Sequence, residues 1–130
     1  MRKAMLIMLL ALVSNSAAAE WTKVVNLPAG SLYFDPATIR SDGNSARIGT
    51  LYDLNKTIIS KTNGKPYASQ KVQYEFDCKE ELWRMLEYSW YTGKMGEGQM
   101  VEYFSETYKL RPIPSGGAVE MLWKHACVRK

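Results

Sequence analysis

The chain has 130 residues, of which 46% are hydrophobic and 23% are charged, and its formal net charge is +4 at pH 7. These proportions are ordinary for a folded domain and exclude a disordered chain, a collagen-like repeat and a protein with several membrane spans. Arg2 and Lys3 lie in an N-terminal segment that we expect to be removed, so the rest of the chain carries 15 basic and 13 acidic residues. That excess is too small for a nucleic-acid-binding surface, and nucleic acid is not an expected partner.

Residues 1–19 have the three regions of a secretory signal peptide: a basic start, an apolar run from Ala4 to Val13 and a small-residue exit at Ala17–Ala19. Ten apolar residues span about 15 Å as a helix, roughly half the hydrocarbon thickness of a bilayer. We therefore expect cleavage before Glu20 rather than a retained anchor. No cysteine near this point could carry a lipid anchor. The sequence predicts an exported protein, periplasmic, at the cell surface or secreted, with a single domain over residues 20–130.

Turn residues divide this domain into short extended segments, a rhythm typical of β-hairpins. About six strands are predicted: Trp21–Asn26, Leu32–Phe34, Ala46–Leu54, Ala68–Cys78, Leu82–Tyr91 and Met100–Phe104. The clearest is Ala68–Cys78, in which Ala68, Val72, Phe76 and Cys78 alternate with polar residues. One side of this strand is expected to be buried and the other to face water.

Near the C-terminus the spacing of apolar residues changes from the alternation of a strand to the spacing of a helix. After the breaker at 112–117, the residues Val119, Leu122, Trp123, Ala126 and Cys127 recur at helical spacing and predict an amphipathic helix. We expect this helix to pack on one face of the antiparallel sheet, which gives an α+β fold.

Cys78 and Cys127 are the only cysteines. In an oxidising compartment two such thiols predict a structural disulfide, and both periodicities direct the sulfurs inward. Inert buried thiols are the alternative. A redox role is not favoured, because the pair lacks the C-x-x-C spacing.

The segment Leu82–Tyr91 has no cleanly polar face. Because one helix can cover only one side of a sheet, we expect aromatic side chains such as Tyr88 and Trp90 to lie on the uncovered side. There they would favour a protein partner or a second copy of the chain, as in a homodimer. Loops that fold over them would be an equally simple account.

Catalytic groups are scarce. His125 is the only histidine and falls off the apolar stripe of the helix, so we expect it to be exposed. The segment Gly93–Gly98 lacks the lysine and hydroxyl of a phosphate-binding loop and is expected to form a hairpin turn. No metal motif or dinucleotide fingerprint occurs. We therefore expect a non-enzymatic protein without a cofactor.

A basic stretch contains Lys56, Lys61, Lys65 and Lys71. Such a stretch suits a polyanionic partner, for example a heparin-like sugar or a lipid head group. Lysines that protect an edge strand from aggregation would look the same.

Several pieces of the chain together resemble the surface-adhesin protein E family of small exported proteobacterial proteins. They are Trp21, the segment Tyr33–Ile39, the run Lys71–Cys78, the turn Tyr91–Gly96 and the end Trp123–Cys127. The resemblance covers essentially the whole domain. It implies an antiparallel sheet with a C-terminal helix tied to it by a disulfide, and adhesion to host extracellular-matrix or plasma proteins.

The favoured hypothesis is a non-enzymatic binding protein that recognises a protein or polyanionic partner through sheet-face aromatics or the lysines from Lys56 to Lys71. The alternative is a periplasmic inhibitor of an exported hydrolase such as lysozyme, blocking a cleft with the loop Gly93–Gly98.

Overall fold

The computed structural model describes residues 19–127. The leader predicted for residues 1–19 lies outside this range except for Ala19, and its cleavage stays a prediction. The elements of the described part are β1 (Thr22–Leu27), β2 (Gly30–Asp42), β3 (Ser45–Ile59), β4 (Pro66–Asp77), β5 (Leu82–Tyr91), β6 (Met100–Ser105), β7 (Arg111–Pro112) and α1 (Ala118–Cys127). A short 3-10 turn, Lys94–Gly96, lies between β5 and β6.

The strands form one antiparallel meander in the order β1-β2-β3-β4-β5-β6. The short strand β7, which the sequence pattern did not predict, pairs with Leu82 and Trp83 of β5, while β6 pairs with the other half of β5, Glu87–Tyr91. The predicted α+β fold with about six antiparallel strands is confirmed.

Helix α1 covers one face of the sheet, as predicted. Leu122 and Ala126 are buried against Phe34, Ile48 and Phe76 of the sheet core. A helix of ten residues is marginal by itself, so this packing accounts for most of its stability.

The disulfide between Cys78 and Cys127 is confirmed, and it joins Cα atoms 5.6 Å apart. Cys78 follows the last residue of β4, and Cys127 ends α1. The bridge therefore fixes the end of the helix to the strand beside which it packs.

Cross-strand partners share a side of the sheet, which identifies the two faces. The partners Phe34, Thr50, Val72 and Tyr88 lie on the side of α1; we call this the helix-bearing face. We call the opposite side the open face.

The side chains on the open side of β4 are less exposed to solvent than the alternation of the sequence predicts. Ser69 is 0% exposed and Glu75 is 8% exposed. Each is covered by other polar groups of the chain, as described below, so the expectation that this side faces water is wrong at these two positions.

The far end of the β3–β4 hairpin folds over the sheet. Residues 54–57 of β3 lie opposite a single residue of β4, Ala68, because the register passes from Asp53↔Ser69 to Ile58↔Tyr67. Such a bulge bends a strand. Residues 58–67 then cross the helix-bearing face and reach β6; we call them the arm.

The contacts of the arm with β6 are polar. The Ser60 hydroxyl lies 3.4 Å from Glu102 Oε1, and the Asn63 amide donates to the Val101 carbonyl at 3.3 Å. The arm also contacts β5, because the ring of its last residue, Tyr67, stacks on Trp90 with 4.5 Å between centroids.

Candidate functional site: the open face of the sheet

A groove of about 400 Å³ follows the open face. A row of cross-strand partners runs through it from β4 to β6: Lys71, Ser89 and Tyr103. Trp21 lies at one side of the groove, and Tyr91, Met100 and Tyr103 lie at another. The groove thus combines aromatic, apolar and charged groups.

Lys71 supplies a positive charge inside the groove. Its side chain is half-buried, and Nζ lies 4.9 Å from the centroid of the Tyr91 ring. None of the ion pairs within residues 19–127 includes Lys71. A cation over an aromatic face is attracted to the ring but keeps N–H donors for an anionic partner.

Two carboxylates lie on the adjacent row of the groove. Asp35 is 7% exposed, and its Oδ1 accepts a hydrogen bond from the backbone N–H of Ala37 at 3.0 Å. Glu87 Oε1 accepts a hydrogen bond from the Tyr103 hydroxyl at 2.6 Å. This bond favours the protonated phenol and raises the pKa of Tyr103. The groove therefore offers acceptors beside the Lys71 donor.

The loop 92–99 lies on the open face of the sheet, beside the groove. The backbone N–H of Met95 donates to Asp53 Oδ1 at 2.6 Å, and Lys94 Nζ lies 3.2 Å from Asp53 Oδ2. The N–H of Gly96 donates to Ser69 Oγ at 2.8 Å, and the Ser69 hydroxyl donates to the Gly93 carbonyl at 2.6 Å. These bonds explain why Ser69 is buried on the open face.

Gly96 lies at a left-handed turn of this loop, next to the end of the Lys71 side chain. Its φ is +74°, a conformation that favours glycine, and a Cβ here would lie 2.6 Å from Lys71 Cε. The turn Tyr91–Gly96, one of the pieces that carried the family resemblance, thus positions the groove lysine. The loop is held against β3 and β4 by these hydrogen bonds.

A buried carboxylate fixes the other end of the open face. Glu75 pairs with Arg84 at 2.6 Å and with Arg47 at 3.5 Å. Arg84 also donates to the carbonyl of Tyr108 at 3.2 Å, which ties the segment after β6 to this side. The ion cluster covers Glu75 and links β3, β4 and β5 at this end of the sheet.

Tyr88 and Trp90 lie on the helix-bearing face and not on the uncovered side, where the sequence pattern predicts them. They are half-buried beyond the helix, and Tyr88 packs on Phe104 with 5.0 Å between centroids. The arm covers Trp90 through Tyr67. Burial, with smaller effects of neighbouring Tyr108, Glu102 and Glu106, raises the pKa of Tyr88. The expectation of aromatic side chains on the uncovered side is met instead by Tyr91 and Tyr103.

The four lysines of the predicted basic stretch are divided between two places. Lys71 lies in the open-face groove. Lys61 and Lys65 lie in the turn of the arm, and Lys56 lies in the bulge at its base. All but Lys71 are exposed.

His125 is exposed on α1, as expected, and its ring lies 4.4 Å from that of Phe34. Residues 19–127 contain no group of three or more His, Cys, Asp or Glu that could hold a metal ion. Over the same residues, no helix has the length and apolar character needed to cross a bilayer.

The sequence matches the model of the surface-adhesin protein E family over residues 21–128. The chain therefore belongs to the surface-adhesin protein E family. A comparison with curated proteins gives no match.

Solved structures of Haemophilus influenzae protein E share the fold. Crystal form II gives a TM-score of 0.68 at 11% identity and covers 87% of this chain and 91% of that chain. Protein E from non-typeable Haemophilus influenzae gives a TM-score of 0.64 at 12% identity, with coverage of 92% and 82%. At this identity the likeness concerns the fold alone.

Proposed function

We propose that this protein is an exported, non-enzymatic adhesin that binds proteins of the host extracellular matrix or plasma through its open-face groove. Membership of a surface-adhesin family supports the class. The observation that carries the site is the arrangement of the sheet: α1 and the arm cover the helix-bearing face, whereas the open face keeps a groove with Lys71, Tyr91 and Tyr103 along it.

The chemistry of the groove suits a protein partner. Tyrosine and tryptophan are enriched in protein interfaces, because each buries a large apolar area and can also form a hydrogen bond. Tyr103 is 53% exposed and Met100 is 53% exposed. Both therefore have surface to bury in a complex, while Lys71 provides a partner for a carboxylate.

The test is binding of the purified protein to immobilised extracellular-matrix and plasma proteins. Lys71→Glu and Tyr103→Ala should each weaken binding at least about fivefold, as expected for central contacts of an interface. The matched controls are Lys124→Glu and Met121→Ala, because both residues are exposed on α1. They should leave binding unchanged.

Two results would contradict the proposal. Groove and helix variants that bind alike would remove the groove from the interface. A wild-type protein that binds none of these partners but inhibits a lysozyme would favour the hydrolase-inhibitor hypothesis instead.

A further inference from the structure

Asp35 is a nearly buried carboxylate in the wall of the open-face groove. The residue is 7% exposed and lines the groove. Its Oδ1 accepts the N–H of Ala37, whereas its Oδ2 accepts no hydrogen bond from residues 19–127 and is not sealed from solvent. None of the ion pairs among the same residues includes Asp35. A carboxylate that has lost most of its water and has no counter-charge favours the approach of a cation.

An aromatic ring lies beside this carboxylate. Thr22 of β1 pairs with Phe34 of β2, so the next residues, Trp21 and Asp35, come side by side on the open face. Trp21 is half-buried and also lines the groove. An indole ring attracts a cation to its face, and the planar guanidinium of arginine stacks on such rings while its N–H groups bind a carboxylate. The two side chains therefore offer the two contacts that suit an arginine side chain.

Hydrogen bonds fix the loop that follows Asp35. The Thr38 hydroxyl donates to the Asp35 carbonyl at 2.6 Å, and the backbone N–H of Gly49 donates to Thr38 Oγ1 at 2.7 Å. This loop belongs to the segment Tyr33–Ile39, one of the pieces that carried the family resemblance. Because the carboxylate is held in place before any partner arrives, little conformational entropy is lost when a cation binds.

The basic residues of β1 and β2 are engaged elsewhere. Lys23 Nζ lies over the ring of Tyr33, 5.8 Å from its centroid. Arg40 donates to two backbone carbonyls of its own loop. Glu87, the other carboxylate of the groove, stands three strands from Asp35, about 14 Å between Cα atoms, so one cation cannot bind both. Asp35 is therefore left for a cation that a partner supplies.

We propose that Asp35 and Trp21 form a subsite of the groove that binds an arginine side chain of the partner protein. The proposal rests on the open-face groove being the binding site. The groove then has an acceptor for a cation at β2 and a donor for an anion, Lys71, at β4. A protein segment with both a basic and an acidic side chain fits this arrangement. A polyanionic sugar does not, because it would bring negative charge next to Asp35.

An NMR titration with a capped peptide, acetyl-Gly-Gly-Arg-Gly-Gly-amide, tests the subsite directly. The peptide should shift the indole N–H signal of Trp21 with a dissociation constant on the order of 1 mM. This signal is identified by its loss in the variant Trp21→Leu. The same peptide with citrulline in place of arginine should cause no shift, because citrulline has nearly the same shape but no charge.

Asp35→Asn separates the charge from the structural role of this residue. It keeps an oxygen that can accept the Ala37 N–H, so it should fold normally but bind the arginine peptide at least about tenfold more weakly. The matched control is Asp77→Asn, which should bind as the wild type does. Asp77 Oδ1 likewise accepts two backbone N–H groups, but Asp77 does not line the groove. Trp21→Leu, followed through the amide signals of β2, should bind at least about threefold more weakly. The dispersion of the amide signals checks the fold of each variant.

Three outcomes of the titration would overturn the proposal. They are an arginine peptide that leaves the Trp21 signal unmoved, a citrulline peptide that binds equally well, and an Asp35→Asn variant that binds the arginine peptide as the wild type does.

The matrix-protein assay described above separates this proposal from the proposed function. Asp35→Asn should bind those proteins at least about tenfold more weakly than the wild type. Equal binding by Asp35→Asn, with weaker binding by Lys71→Glu, would overturn the subsite and leave the proposed function intact. A wild type that binds the arginine peptide but none of the matrix or plasma proteins would contradict the proposed function and still support the subsite.

Discussion

Removal of the Cys78–Cys127 bridge tests how the helix is held. The perturbation is the double substitution Cys78→Ala, Cys127→Ala, which leaves no free thiol. The two cysteines are 49 residues apart in sequence. For a closed loop of that length, the chain-entropy treatment of the unfolded state gives about 4 kcal/mol of stabilisation. Since small domains have total stabilities of about 5 to 15 kcal/mol, the bridge accounts for a large share.

Urea denaturation measures this loss by following tryptophan fluorescence and far-ultraviolet circular dichroism. The free energy of unfolding of the double variant should be lower than that of the oxidised wild type by about 4 kcal/mol. Wild-type protein with the bridge reduced serves as the control and should behave like the variant. A loss below about 1 kcal/mol would refute the reasoning, because it would mean that packing of α1 alone holds the end of the chain.

Three further predictions concern the core, the groove loop and a buried phenol. Leu122→Ala should lower the free energy of unfolding by about 2 to 5 kcal/mol in a denaturant titration, because Leu122 is 0% exposed; a loss below about 1 kcal/mol would contradict the described packing. Gly64→Ala and Gly96→Ala both place alanine at positive φ, but only the second puts a Cβ against another side chain, Lys71. Gly64→Ala and Gly96→Ala should each cost about 1 kcal/mol by thermal unfolding, because both strain a positive φ. Only Gly96→Ala should also weaken partner binding, because its Cβ would displace the end of the Lys71 side chain, and unchanged binding would count against the loop's role. Burial raises the pKa of Tyr74 to about 12 from the usual tyrosine value of 10.0. The folded state thus keeps this proton longer than the unfolded state, so the stabilisation is present below pH 10 and is lost as pH rises from 10 to 12. Tyr74→Phe should flatten that part of the stability profile, and an unchanged profile would contradict the burial.

The sequence pattern predicts the covalent and layered features of this fold well. Strand β5 was predicted with its observed limits, Leu82–Tyr91. The alternation in β4 and the helical period near Cys127 both direct a sulfur toward the core, and the sulfurs meet there. Both patterns depend only on local periodicity, which a sequence displays directly.

Local periodicity could not predict which face of the sheet the side chains near the ends of strands occupy. The pairing of β4 with β5 shifts between Gln73 and Tyr74, and a shift of one residue moves the following side chains to the other face. Tyr88 and Trp90 consequently lie on the helix-bearing face. No periodicity marks the bulge at 54–57 that forms the arm, because it depends on pairing with a neighbouring strand.

The groove itself was only partly visible in the sequence. Lys71 was a candidate because it is basic, but its neighbours Tyr91 and Tyr103 come from other strands. They share a groove with Lys71 only because of the register of β4, β5 and β6. If the register of the strands had been known, the row of cross-strand partners would have predicted that these residues share the groove.

Hydroxyl-radical footprinting of the complex with a bound matrix or plasma protein tests the central claim most directly. Met100 and Tyr103 in the groove and Met121 on α1 are all exposed and reactive, with 53%, 53% and 38% of their surface accessible. Binding through the open face predicts that Met100 and Tyr103 become protected while Met121 reacts as it does in the free protein. Protection of Met121 with no change at Met100 and Tyr103 would place the partner on the helix and contradict the account.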